Sequence, residues 1–495
     1  MMTRAALAVM AAAGWPPGGA LADGLTSAQL NSMLAAGMSA PIASALSQVA
    51  GQPNGLAGLN AQAQVAAASA LPPLRQQLWQ AVMPFWGEAI APAQSTQLTL
   101  GEDFSLDGRF TAIQLIFANP GNAVTLPAVM VAPSASAASK TTPVDSSGNT
   151  VGWTAVSLGG ASAITLAAGT ASRPSLTLSD PLPLQSLARS DGGAFSLLYT
   201  RVLSPASGTS WTASYLTDLA PLLSLAAYAS ASGGRNVALY FGGGDLVSTP
   251  AVANVLTDAN AALGTTFSYV AGIRYLSPDR VVTIMGCGDS LTAGFSTASG
   301  YAGFGLQASV ALSRQLGIGV SYVAHGYPGQ SSADFTANCR TAATLLHPAV
   351  VTLPIDSPND WTGVSNTASG TASATATAAQ DAARIAMQQR ALDLADTVLS
   401  YGGLPVLVTP IPFAGYDAAA QYGAERAQGG AFARLLSPRG GLVLDAQAII
   451  SGYVPSANRP PSLPANCIAA DGAHLNDACQ GMLGTALARA LVPRL

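Results

Sequence analysis

The last two-fifths of the chain alternates continuous apolar runs with helix-like stretches. The apolar runs cover 281–286, 318–324, 349–355, 404–409 and 441–445. The helix-like stretches lie near 301–316, 333–346, 376–401, 417–436 and 477–492. A run with no alternating polar positions indicates a strand buried on both faces, as in a parallel sheet covered by helices. We therefore predict an α/β domain over 279–495, with its parallel sheet between two helical layers.

The pattern is different in residues 97–277, where short β-prone pieces are separated by Gly, Pro, Ser and Asn. Short strands with frequent turns are typical of antiparallel sandwiches, so we expect a jelly-roll-like β-sandwich domain over 97–278. Its aromatic residues Trp153, Trp211 and Tyr199 are candidates for stacking on a sugar ring. The alternative is that they are core residues.

Residues 24–95 show no strand pattern and are rich in Ala, Leu and Gln. We expect short helices over 23–96. Residues 1–22 match a secretory signal peptide, with Arg4, an apolar stretch and Ala20-Leu21-Ala22 before the cleavage point. An echo of residues 7–14 at 30–37 supports the alternative, a helical repeat in a protein that is not exported.

A motif typical of a reactive serine follows the first apolar run of the predicted α/β domain. Gly288-Asp289-Ser290-Leu291 comes directly after a predicted strand. A serine hydroxyl attacks a carbonyl only if a sharp turn presents it to a cleft beside amide N–H groups, and the glycine permits such a turn. The same tetrapeptide is also an ordinary turn before a helix, so further residues have to decide between the two.

Only three histidines are available as a general base. His474 closes the sequence Asp471-Gly472-Ala473-His474, near the end of the chain. A carboxylate three residues before an imidazole can hold Nδ1–H and leave Nε2 free to take a serine proton. Asp360 and Asp477 are rival carboxylates, but Asp477 is expected in the first turn of the last helix.

Two further segments lie where predicted parallel strands end. His325-Gly326-Tyr327-Pro328-Gly329 follows one run, and Ser357-Pro358-Asn359-Asp360 follows the next. Open α/β sheets bind ligands at the carboxyl ends of their strands. The N–H of Gly329 and the side-chain amide of Asn359 are donors that could meet an oxyanion.

Taken in their order along the chain, the four segments resemble the SGNH hydrolases of the GDSL esterase and lipase family. The resemblance covers residues from about 280 to the end and implies a flavodoxin-like three-layer SGNH hydrolase domain. It implies that Ser290 is the nucleophile, with Asp471 and His474 as acid and base. It also implies an oxyanion hole formed by the N–H groups of Ser290 and Gly329 and the side chain of Asn359.

One segment departs from the family pattern. The third block of the family usually reads Gly-x-Asn-Asp, whereas this chain has Ser357-Pro358-Asn359-Asp360. A serine in place of the glycine and a proline after it stiffen the backbone that positions Asn359.

The four cysteines add a structural question. Cys467 and Cys479 bracket the Asp471–His474 loop, and either a disulfide that restrains the loop or a pair of buried thiols fits this position. Cys287 precedes Ser290 by three residues and is interpreted as a packing residue rather than a second nucleophile.

Composition narrows the function classes. Charged residues are only 9% of the chain and the net charge is −4, which provides no basic surface for nucleic acid. No apolar stretch reaches the ~20 residues that a bilayer span needs. No spacing predicts a metal site or a phosphate-binding glycine loop, so we expect neither metal nor cofactor.

Two functions remain at this point. The first is a secreted or periplasmic serine esterase that removes acyl groups, such as acetate, from a polysaccharide or another ester. The second is a surface or phage-tail-type protein that binds glycan and carries a degenerate hydrolase domain. All five catalytic positions are filled, which favours the esterase.

Overall fold

The computed structural model describes about three-fifths of the chain. The described residues are 79–83, 89–90, 98–136, 142–193, 195–205, 211–212, 237–243, 247, 257–258, 269–297, 302–361, 378–413, 432–433, 441–451 and 463–495. The predicted signal peptide and its alternative, the repeat at 7–14 and 30–37, lie outside them. The predicted helix near 417–436 also lies outside them, apart from residues 432–433.

The strands of the described residues fall into two groups along the chain. The first group is β1 (Trp79–Val82), β2 (Ala89–Ile90), β3 (Leu98–Leu106), β4 (Ala112–Asn119), β5 (Val124–Leu126), β6 (Ala128–Ser134), β7 (Thr154–Ala155), β8 (Ile164–Leu166), β9 (Ser175–Leu178), β10 (Leu182–Pro183), β11 (Ser196–Ser204), β12 (Trp211–Thr212), β13 (Val237–Gly243), β14 (Thr257–Asp258) and β15 (Val270–Leu276). The second is β16 (Val281–Gly288), β17 (Gly319–Gly326), β18 (Val350–Pro354), β19 (Leu404–Val408) and β20 (Leu442–Leu444).

All the α-helices of the described residues belong to the second half of the chain. They are α1 (Ser290–Ala293), α2 (Phe304–Leu316), α3 (Ser332–Leu346), α4 (Ala378–Ser400), α5 (Ala446–Ser451) and α6 (Asp477–Leu491). Short 3-10 turns cover Pro358–Trp361, Ala465–Cys467 and Val492–Arg494.

Strands β16 to β20 form the predicted parallel sheet. Its order is β17-β16-β18-β19-β20, and every neighbouring pair is parallel. Adjacent residues of β16 face opposite layers: Ile284 lies in the core with Leu487 of α6, and Met285 lies in the core with Leu394 of α4. The α/β prediction is therefore confirmed, and the apolar runs are continuous because each strand is covered on both faces.

The first group of strands pairs only in the antiparallel sense within the described residues. The larger two of its sheets have the orders β1-β15-β4-β10, with β9 also beside β4, and β14-β13-β3-β11-β6-β7. Two smaller sheets are the pairs β2-β12 and β5-β8. The short β-prone pieces predicted between 97 and 277 are strands here. The jelly-roll-like sandwich itself stays a prediction.

Core packing links the antiparallel sheets to the parallel one. Phe104 of β3 and Ile113 of β4 lie in the same buried cluster as Met285 of β16 and Phe335 of α3. The position near 278, where we placed a domain boundary, is therefore crossed by a continuous apolar core.

The helical prediction for 23–96 is wrong for the part of that range that the structure describes. β1 pairs with β15, and β2 pairs with β12. Beyond β1, Met83 joins the edge of the parallel sheet, where its N–H donates to Tyr322 O at 3.1 Å and its O accepts from Ala324 N at 2.7 Å. Ala-rich composition favours a helix locally, but pairing with a distant strand overrides that weak preference.

The proposed sugar-stacking residues are engaged inside the fold where the structure describes them. Tyr199 is 1% exposed and its hydroxyl donates to Ser136 O at 2.9 Å, so it is a core residue. Trp153 lies half-buried under the guanidinium of Arg201, 4.5 Å from its ring centroid. The side chain of Trp211 lies outside the description.

Candidate active site

The end of β16 forms a tight turn that presents Ser290. Gly288 has a φ of 152°, and a Cβ on it would lie 2.1 Å from Thr292 Oγ1. Glycine is therefore required here. The Asp289 side chain caps α1 by accepting from Leu291 N at 2.9 Å, so Ser290 is the first residue of the helix.

Ser290, His474 and Asp471 form a continuous chain of hydrogen bonds. His474 Nε2 lies 2.9 Å from Ser290 Oγ, and His474 Nδ1 lies 2.5 Å from Asp471 Oδ2. The serine and the aspartate thus bond to opposite nitrogens of one imidazole. Ser290 and His474 are 184 residues apart in the sequence. In this arrangement the ring accepts a proton at Nε2 while Nδ1–H remains held.

The Asp471 carboxylate is fixed by its own loop. Its Oδ1 accepts from the N–H groups of Ala473 at 3.0 Å and His474 at 3.1 Å. Partial burial acts to raise the pKa of Asp471, but these hydrogen bonds, with others from the Ser296 and His474 side chains, outweigh it. The pKa of Asp471 therefore lies well below its ordinary value, and the carboxylate stays ionised beside the imidazole.

His474 is held by its surroundings as well. The rings of Phe295 and Phe413 meet the imidazole edge-on, with centroids at 5.1 and 5.2 Å. A disulfide between Cys467 and Cys479 closes the base of its loop. Of the two alternatives for these cysteines, the structure shows the disulfide.

Gly329 lies in the turn after β17, next to the turn at Gly288 that presents Ser290. Tyr327 N donates to Gly288 O at 3.1 Å, which joins the two turns through their backbones. Gly329 has a φ of 81°, in the left-handed region that favours glycine, and nothing lies within 4 Å of where its Cβ would be. The side of this residue is therefore open.

Asn359 lies in the 3-10 turn after β18, and its side chain bonds within the protein. Its Nδ2 donates to Gln330 O at 3.0 Å and approaches Ser357 Oγ at 3.1 Å. A contact from Nδ2 to an oxyanion would form in exchange for part of these bonds. The structure thus brings Asn359 to the predicted edge of the sheet with its amide engaged.

The two rival carboxylates have other tasks. Asp360 accepts from Ser332 N and Ser357 N at 2.9 Å each, and burial raises its pKa to about 6 despite these bonds. Asp477 lies in the first turn of α6, as expected, after the cap residue Asn476. The Nδ1 of His474 bonds Asp471.

Two features of the site were missed by the sequence interpretation. Cys287 forms a disulfide with Cys339 of α3, so it is more than a packing residue. An even cysteine count, with Cys467 and Cys479 as one candidate pair, was the available signal. The second is Ser357, which was treated as a departure from a pattern although its hydroxyl contacts Asp289 and Asn359.

Two further observations concern the described residues only. No group of three or more His, Cys, Asp or Glu residues is arranged there to hold a metal ion. None of the helices in the described ranges combines the length and the apolar character needed to cross a bilayer.

Comparison with known proteins gave structural matches only. No family model and no curated protein matches the chain. A lipase/acylhydrolase from Enterococcus faecalis is 16% identical, with a TM-score of 0.32, over 42% of this chain and 95% of that one. A GDSL-like lipase from Bacteroides thetaiotaomicron is 16% identical, with a TM-score of 0.29, over 43% and 89%.

A catalytic mutant of an acetylxylan esterase from Geobacillus stearothermophilus is also 16% identical, with a TM-score of 0.32, over 44% of this chain and 95% of that one. The chain is similar to each of these three structures over less than half of its own length.

Proposed function

We propose that the protein is a serine carboxylic ester hydrolase that works through an acyl-enzyme. The observation that carries this proposal is the hydrogen-bonded chain from Asp471 through His474 to Ser290. A serine hydroxyl bonded to one nitrogen of an imidazole, with a carboxylate on the other nitrogen, is the arrangement that activates a serine nucleophile.

In the first half of the reaction, His474 Nε2 takes the proton of Ser290 as its Oγ attacks the ester carbonyl. Asp471 holds Nδ1–H and stabilises the imidazolium that forms. The protonated His474 then gives its proton to the departing alcohol, which leaves the acyl group on Ser290. In the second half, His474 deprotonates a water that attacks the acyl-enzyme, and the proton returns to Ser290 as the acid leaves.

Stabilisation of the oxyanion comes from donors around the two joined turns. The N–H groups of Ser290 and Gly329 are the backbone donors, and the open side of Gly329 leaves room for a substrate. The Asn359 amide is the third donor, after partial exchange of its bonds to Gln330 and Ser357. Negative charge develops on the carbonyl oxygen only in the transition state, so donors fixed there lower the barrier.

We further propose that the substrate is an acylated, chiefly acetylated, polysaccharide outside the cytoplasm. Phe295 and Phe413 provide apolar rings beside His474, which acts on the alcohol side of the ester, and such rings pack well against the faces of sugars. All four cysteines are paired in two disulfides, and disulfides persist in oxidising compartments. This supports a secreted or periplasmic location.

A fluorophosphonate probe tests the reaction class. We expect covalent labelling of the wild-type protein and none of Ser290→Ala, with turnover abolished in the same variant. Assays on p-nitrophenyl esters of rising chain length, beside acetylated glycans, then define the acyl group and the alcohol. Retention of glycan with neither labelling nor turnover supports the alternative, a surface or phage-tail-type binding protein.

A further inference from the structure

Ser357 is a fully buried serine that contacts the nucleophile turn. It lies three residues after the end of β18 and has an exposed fraction of 0%. Its hydroxyl donates to Oδ2 of Asp289, the residue before Ser290. Asp289 is itself 2% exposed and uses its other oxygen to cap α1. The hydroxyl of Ser357 is therefore bonded to the side chain of the residue that precedes Ser290 in its turn.

The same oxygen also contacts Asn359. Asn359 N donates to Ser357 Oγ at 3.2 Å, and Asn359 Nδ2 approaches it at 3.1 Å. A hydroxyl has one proton to donate and two lone pairs to accept with. In its bond to Asp289 the hydroxyl uses its proton, and its lone pairs accept from Asn359.

A third segment meets at this point. Gln330 O, in the residue after Gly329, lies 3.1 Å from Ser357 Oγ and accepts from Asn359 Nδ2 at 3.0 Å. One oxygen atom thus connects the turns that contain Ser290, Gly329 and Asn359. These are the three segments to which the proposed function assigns the oxyanion donors.

We propose that Ser357 is a positioning residue that sets the Asn359 amide relative to the Ser290 turn during acyl transfer. It acts through Asn359 and has no contact with the substrate of its own. A glycine at this position, as in the usual family block, offers no hydroxyl for either contact. The proposal rests on the proposed function, because it assigns Asn359 a part in the reaction.

Ser357→Ala tests this role. Without the hydroxyl, the backbone N–H and the side-chain Nδ2 of Asn359 lose the acceptor that they share. The side-chain amide is then free to move away from the oxyanion. Removal of one oxyanion donor costs ~10²–10³ in kcat, so we expect its misplacement to cost about tenfold, with KM changed less than about twofold. An unchanged or increased kcat would overturn the proposal.

A double-mutant cycle shows whether Ser357 acts through Asn359. In an Asn359→Ala background, Ser357→Ala should lower kcat by less than about twofold, because the group it positions is already gone. A second loss of about tenfold would mean that the two residues act independently, and the proposal would be wrong.

Two controls separate positioning from packing. Ser309→Ala removes an equally buried hydroxyl in α2, where it bonds only to backbone oxygens of its own helix, and should leave kcat unchanged. If Ser357→Ala does not fold, Ser357→Thr and Ser357→Val provide a pair of equal shape. We expect the Thr variant to keep most of kcat and the Val variant to lose about tenfold, and equal values would overturn the proposal.

The failure of this proposal differs from the failure of the proposed function. If Ser290 is labelled by the fluorophosphonate and Ser357→Ala keeps full kcat, only the positioning role is lost. If Ser290→Ala keeps its activity, the esterase mechanism itself is wrong.

Discussion

The parallel sheet and the antiparallel sheets use their polar side chains differently. At the carboxyl ends of β16, β17 and β18, polar groups gather in turns and face one another, as Asp289, Ser357 and Asn359 do. In the antiparallel region, some buried polar groups fasten strands together. Tyr275 of β15, for example, bonds Ser321 of β17 at 2.6 Å. The region of the parallel sheet contains the residues of the proposed reaction, and the antiparallel region provides the framework.

The framework nevertheless reaches the site. Ser172 O, between β8 and β9, accepts from Gln330 Nε2 at 2.9 Å and from Asn338 Nδ2 at 2.7 Å. Arg173 pairs with Asp334 at 3.2 Å. These contacts hold the segment directly after Gly329. The difference between the regions therefore does not make them independent, because the loop before β9 supports the turn that the proposed reaction needs.

Truncation is expected to have the largest effect on folding and activity. A protein that begins near Val270 contains Ser290, Asp471 and His474 but lacks Met83 and the antiparallel half of the shared core. We expect it to unfold or aggregate and to lose activity on small esters and on acetylated glycan alike. The measurements are circular dichroism and p-nitrophenyl acetate turnover, with full-length Ser290→Ala as the folded, inactive control. A well-folded truncation with full activity on small esters would show that the antiparallel region is dispensable for chemistry.

Asp471→Asn is expected to have the next largest effect. This residue belongs to the region of the parallel sheet. An asparagine keeps the shape but loses the charge that stabilises the imidazolium, so kcat should fall ~10³–10⁴-fold with KM little changed. The matched control is Asp477→Asn, which should cost at most about 1 kcal/mol through the helix dipole and leave kcat unchanged. Steady-state kinetics and thermal unfolding distinguish the two. The reverse pattern would reassign the carboxylate.

The disulfides sharpen the comparison because residues 79–276 contain no cysteine. The Cys287–Cys339 bond spans 52 residues and the Cys467–Cys479 bond spans 12. Chain entropy then predicts that replacing both cysteines of a bond by serine costs about 4 kcal/mol for the first and about 3 kcal/mol for the second. Denaturant unfolding measures these costs.

A single cooperative transition should shift in both disulfide variants, since the two regions share one core. Two separate transitions, with only one affected, would show that the regions unfold independently. Removal of Cys467–Cys479 should in addition lower kcat, because that bond closes the loop of His474.

The smallest expected effect concerns the contact between the regions. Gln330→Ala removes a buried donor to Ser172 and should cost about 1 kcal/mol and a few-fold in kcat, since it loosens the turn of Gly329. Arg173→Ala breaks an exposed ion pair at the same contact and should cost less than about 0.5 kcal/mol with no change in kcat. Equal kcat in all three proteins would show that the framework does not support the site.

Sequence patterns predicted the parts of the molecule that depend on local features. The apolar run from Val281 requires burial on both faces wherever the strand lies, and the glycine of Gly288-Asp289-Ser290-Leu291 fixes a turn by its own steric freedom. The three-residue spacing of Asp471 and His474 lets one loop present both groups. Each of these features is contained within a few neighbouring residues, so the local sequence is sufficient to predict it.

Contacts between distant residues had to come from the tertiary structure. The strand at Trp79–Val82 was expected to be helical because its composition is Ala-rich nearby, yet Ala81 N bonds Thr283 Oγ1 across 202 residues. The Cys287–Cys339 bond and the meeting of Asp289, Gln330 and Asn359 on Ser357 likewise join segments that lie far apart in the sequence.

By itself the sequence predicted the parallel sheet, the turn that presents Ser290 and the close spacing of Asp471 and His474, because each follows from local periodicity, steric limits or short separation along the chain. Only the tertiary structure decided which segments share a core and which oxygen atom joins the three turns. Such contacts depend on how distant strands are ordered in a sheet, and many orders satisfy the same local pattern.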